Sequence, residues 1–106
     1  MQLPEDRLNE IEARFKEIES ALVDPAVASR PDEIRSLGKE HSELKPIVEA
    51  WTTYRQARDD LREARAMLAG AAGAERTYLE EEIATQEETL ERLGETIAEG
   101  LVQKDP

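Results

Sequence analysis

Four arginines, Arg55, Arg58, Arg62 and Arg65, recur at steps of three, four and three residues. On a helix that spacing sets all four on one face. A row of guanidinium groups suits the phosphates of ribosomal RNA or another polyanion. It equally suits a position flanking an apolar seam, opposite acids such as Glu80, Glu87 and Glu91 of a neighbouring helix. The pairing role is favoured, because the chain is acidic and no aromatics interleave with the row for base stacking. The row remains the candidate contact surface.

Other residues with chemical potential are weaker candidates. Glu80-Glu81-Glu82 with Glu87-Glu88 resembles a divalent-ion cluster only in composition. Consecutive helical residues point in different directions, whereas metal cages need converging oxygens. A solvated face is expected there, and no metal site. His41 is the only histidine and there is no cysteine, so neither a metal pair nor a nucleophile–base pair can be assembled around it. It falls on an apolar seam, where a packed, partly exposed role is expected. Trp51 could anchor a partner, but it lies on the same seam, and a core role is favoured. Ser, Thr and Tyr residues are scattered without a base. No catalytic or cofactor-binding residue is assigned.

These side chains ride on three periodic segments. The first, about 4–23, places Leu8, Ile11, Phe15, Ile18 and Leu22 at heptad steps. Pro4 suits a first helical position, with Glu5 and Asp6 at the positive end of the dipole. Asp24-Pro25 ends it, and the connector to Arg30 holds one helical turn around Ala26. The second, about 31–69, opens at Pro31. Its seam reads Ile34, Leu37, His41, Leu44, Val48, Trp51, then slips to Tyr54, Ala57, Leu61, Ala64 and Leu68. Pro46 inside it removes one backbone bond, so a kink and not a break is expected. Gly70 is the expected left-handed cap. The third, about 75–99, carries Leu79, Ile83, Gln86, Leu90, Leu93 and Ile97, and Gly100 weakens its end. Short connections favour antiparallel neighbours. The expectation is an all-α, elongated antiparallel three-helix bundle or coiled-coil hairpin with a long, proline-kinked central helix.

Composition agrees with narrow seams over a wide core. The 106 residues are 37% charged and 4% aromatic, with net charge −11. Residues 74–106 carry 10 acids against 3 bases, so most of the excess lies on the third segment. Such charge opposes binding to bare nucleic acid, and no sequence-specific nucleic-acid contact is expected. No apolar run is long enough for a membrane span. The start lacks the basic and apolar regions of a secretory signal, and the Gln103-Lys104-Asp105-Pro106 ending reads as a linker.

Three ordered blocks carry a resemblance. They are Leu22-Val23-Asp24-Pro25-Ala26-Val27, the stretch Leu37-Gly38-Lys39-Glu40-His41-Ser42-Glu43-Leu44-Lys45-Pro46-Ile47-Val48-Glu49-Ala50, and Tyr54-Arg55-Gln56-Ala57 with Asp60-Leu61 and Glu63-Ala64. Together with the Lys104-Asp105-Pro106 ending, they resemble the first domain of the bacterial peptide chain release factor 1 family over nearly the whole chain. The resemblance implies a parent protein that reads UAA and UAG and triggers peptidyl-tRNA hydrolysis in the cytoplasm. It implies that this chain is the helical arm, directed at the stalk base of the large ribosomal subunit. The glutamine methyltransferase and the class II release-factor GTPase are implied neighbours. The codon-reading tripeptide and the Gly-Gly-Gln loop of that family do not occur here, so none of their roles transfers to a residue of this chain. The alternative from the heptads alone is a free-standing acidic coiled-coil adaptor that homodimerises.

Overall fold

A computed structural model describes residues 2–104, with Lys104 described by its backbone alone. Of the Gln103-Lys104-Asp105-Pro106 ending read above as a linker, Gln103 and Lys104 are helical, which corrects that reading, and Asp105 and Pro106 lie outside the described residues. Among the described residues four helices account for the fold: α1 (Glu5–Leu22), α2 (Pro25–Ala28), α3 (Pro31–Leu68) and α4 (Gly73–Lys104). Among the described residues there is no strand.

Local chemistry sets the boundaries. Pro4 lies one position outside α1, at its N-cap, and Glu5 and Asp6 fill the first turn. The Asp24 carboxylate accepts from the Ala26 N–H at 2.9 Å, and Pro25 opens α2. The expected single turn is thus a capped helix, pinned by buried Val27. α3 starts at Pro31 with Asp32 and Glu33 in its first turn, and runs unbroken through Pro46. Pro46 has no N–H to offer the Ser42 carbonyl. The buried Leu44, Ile47, Val48 and Trp51 on either side hold the helix across that gap.

Two expectations, one about the α3–α4 turn and one about α4, need correction. The left-handed backbone falls on Gly73, at φ +62°, and not on Gly70. The helix also extends past residue 99 through Gly100 to Lys104. Leu101 is buried and continues the seam beyond Ile97. Gly100 itself permits the close approach, since a Cβ there would lie 2.8 Å from Ile47 Cγ1. A residue expected to weaken the helix end therefore serves its packing.

α1 and α4 each pack against α3. Contacts Arg58–Glu5, Trp51–Asn9 and Arg14–Glu40 run in opposite chain directions, so α1 lies antiparallel along the middle of α3. Arg65–Glu87 and Ile47–Gly100 fix α4 antiparallel as well. The core joins Leu8, Ile11 and Ile18 of α1 to Leu44, Ile47, Val48, Ala50 and Trp51 of α3 and Ile97 and Leu101 of α4. Ile34, expected on the seam, is exposed. The molecule measures 63 × 30 × 19 Å. At 1.5 Å per residue the 38 residues of α3 span about 57 Å, so one helix nearly sets the length. No described helix is long and apolar enough to cross a membrane.

Candidate functional site

The four arginines of α3 divide into an inner and an outer pair. Arg55 Nη2 donates to Glu12 Oε2, and its guanidinium carbon lies 5.0 Å from the Trp51 ring centroid. Arg58 Nη1 donates to Glu5 Oε1 at 3.1 Å. Its guanidinium lies 5.7 Å from the Trp51 ring and 5.9 Å from the Tyr54 ring. Beneath them Trp51 is buried, and its indole N–H donates to Asn9 Oδ1 at 3.2 Å. The inner pair thus ties α1 to α3 by charge, by cation–π contact and by a shared tryptophan. Their acids come from α1, whereas the sequence pattern pointed only to the third segment.

The outer pair is held more loosely. Arg62 Nη1 reaches Asp59 Oδ1, three residues back on its own helix, at 3.4 Å. Arg65 Nη2 reaches Glu87 of α4 at 3.6 Å, one of the acids expected from the sequence. Their side chains are 73% and 58% exposed, against 35% for both Arg55 and Arg58. Exposed pairs of this kind are weak, about 0–1 kcal/mol. The outer guanidinium groups can therefore exchange their present partners for another anion at small cost.

His41 is partly exposed and stacks on Phe15, with centroids 4.4 Å apart and planes at 20°. Its Nε2 lies 3.3 Å from Glu19 Oε2. Nearby, Arg14 forms a bidentate pair with Glu40, with Nε and Nη2 each donating at 2.8 Å. Those hydrogen bonds raise the affinity of the Arg14 guanidinium for its proton. Of the acidic run, Glu80 pairs with Arg76, Glu82 accepts from Gln86, and Glu81 and Glu88 are exposed. Among the described residues no group of three or more His, Cys, Asp or Glu side chains is arranged to hold a metal ion.

Asn9, Glu5, Glu12 and Tyr54 were not singled out from the sequence as part of this cluster. One signal bore on Asn9, since a buried indole N–H requires an acceptor. Choosing which polar residue of α1 supplies it required the helix register. Beyond Arg65, residues 66–74 carry no charge, and they form the end of the α3–α4 hairpin. Met67 and Tyr78 beside that turn are 56% and 64% exposed.

Comparison with known proteins bears on this arrangement. The PCRF domain family matches residues 11–106. Peptide chain release factor 1 of Bacillus subtilis is 36% identical over 102 residues, covering 95% of this chain and 29% of that protein. Peptide chain release factor 1 of Pelobacter propionicus is 38% identical over 101 residues, covering 95% and 28%. That of Acidobacterium capsulatum is 33% identical over 101 residues, with the same coverage. The chain thus spans under a third of the length of these relatives. No solved structure matches it. The helical rod described above, matched along all but its first ten residues, belongs to the PCRF domain family.

Proposed function

We propose that this chain is the non-catalytic helical arm of a translation termination factor of the cytoplasm. The observation that carries the reading is the match to proteins named peptide chain release factor 1, continuous over 95% of the chain and confined to 28–29% of theirs. In this reading codon recognition at UAA and UAG and the triggering of peptidyl-tRNA hydrolysis belong to the parent protein. The arm docks toward the stalk base of the large ribosomal subunit. The release-factor glutamine methyltransferase and the class II release-factor GTPase are further proposed partners of the parent.

Shape and surface support a docking role. A rod 63 Å long can hold a contact far from a catalytic centre. The exposed Arg62 and Arg65 adjoin the uncharged hairpin end, so a basic patch and an apolar tip lie side by side. That pairing suits a site made of RNA and protein together, with phosphate taking the arginines. Arg55 and Arg58 belong to the internal brace in this reading.

The test is competition on stop-codon ribosomal complexes. The isolated chain is expected to release no peptide by itself and, in excess, to slow release by a full-length release factor 1. An Arg62→Glu/Arg65→Glu variant is expected to lose most of that inhibition. Robust release by the chain alone, or no competition at any concentration, overturns the proposal.

A further inference from the structure

A cleft of about 310 Å³ opens where the N-terminal segment, α3 and α4 meet. Its lining is Leu3, Tyr54, Leu90, Glu91, Gly94 and Glu95. Leu3 and Gly94 are buried and Leu90 and Tyr54 half-buried, so the floor is apolar and aromatic. Glu91 and Glu95 are one helical turn apart and exposed at its rim. Neither has an ion pair or a hydrogen-bonded partner among the described residues. Arg58, whose guanidinium lies 5.9 Å from the Tyr54 ring of the lining, is already engaged by Glu5.

We propose that this cleft receives a lysine or arginine side chain from a basic segment of a protein partner. The aliphatic stem of such a residue lies along Leu3, Leu90 and the Tyr54 ring, as long cationic side chains cover apolar surface. Its charged head meets Glu91 and Glu95, a doubly anionic acceptor that suits a guanidinium fork. Charge selects this occupant over others. Residues 74–106 carry 10 acids against 3 bases, which repels nucleic acid. A second copy of a chain with net charge −11 is repelled in the same way. The inference is independent of the release-factor reading, since it rests on the cleft alone.

The probe is the peptide acetyl-Leu-Arg-Leu-Lys-amide, titrated into the isotopically labelled chain at low salt. Amide shifts are expected to centre on Leu90, Gly94 and Glu95, and to shrink as salt is raised. Glu91→Gln/Glu95→Gln should weaken binding at least tenfold. Glu81→Gln/Glu88→Gln removes the same charge from exposed positions outside the cleft and should weaken it less than threefold. Both pairs are exposed, so circular dichroism should show unchanged helix in each. Equal weakening by the two double variants, shifts spread along all of α4, or no binding by the parent chain would each overturn the proposal.

Discussion

Gly38 and Gly100 occupy helix interiors whose surroundings differ, and Gly73 begins a helix. Gly38 lies within α3 in open space, with no atom beyond the local helix backbone within 4 Å of the place a methyl group would take, so Gly38→Ala only lowers the entropy lost on folding. It should raise stability by about 0.5–1 kcal/mol. Gly73 has φ +62°, where an L side chain is strained, so Gly73→Ala should lower stability by about 1–2 kcal/mol. Gly100 faces Ile47 across the α3–α4 contact, and Gly100→Val drives a branched side chain into it. The expected loss is about 1–3 kcal/mol. Urea unfolding of the three variants checks all three signs, and a stabilising Gly100→Val would show that the helices do not approach as described. At the same scale, Trp51→Phe keeps an aromatic ring and leaves Asn9 without its donor. A loss of about 1 kcal/mol is expected from the missing hydrogen bond.

The helices themselves were largely legible in the sequence, and their mutual contacts were not. Leu8, Ile11 and Ile18 announced α1 by spacing alone, and all three are buried. α3 was read as having one seam, through Leu44, Val48 and Trp51, yet Ile47 and Ala50 are buried too. A helix that packs against two neighbours needs two apolar rows, and a single heptad template finds one. The end of α4 was missed because Gly100 was judged by propensity while its contact with Ile47 decides it, and the left-handed residue of the α3–α4 turn was placed on Gly70 by cap preference alone. For the arginine row, spacing gave the shared face, but the acids opposite Arg55 and Arg58 depend on how α1 lies across α3. That crossing yields a prediction about elements. Arg55→Ala should weaken the docking of α1 and lower the melting temperature measurably, whereas Arg62→Ala, paired with the exposed Asp59 of its own helix, should leave it nearly unchanged. Leu44→Ala, at a site 1% exposed, should cost about 2–5 kcal/mol. Leu90→Ala should cost less, because Leu90 is only half-buried. Glu81→Ala on the exposed face should stay within about 0.5 kcal/mol. Thermal melts of these variants rank the buried and exposed faces of the helices directly.

As a whole the molecule is far from spherical. Its Cα radius of gyration is 18.6 Å. A compact domain of this length would have about 13 Å. Small-angle scattering of the monomer should therefore give a radius of gyration near 19 Å and a strongly skewed distance distribution, while a value near 13 Å would contradict the rod. The thickness of the rod also varies along its axis. Glu5 of α1 meets Arg58 and Arg14 meets Glu40, so α1 braces the middle of α3, and past Arg58 the hairpin continues as α3 and α4 alone. In mechanical terms the hairpin end is a cantilever built into a thicker root. Flexural rigidity falls steeply with cross-section, so thermal bending concentrates at the step beyond Arg58. A load applied at the tip is delivered to the root as torque, and the Trp51 cluster is the clamp that resists it.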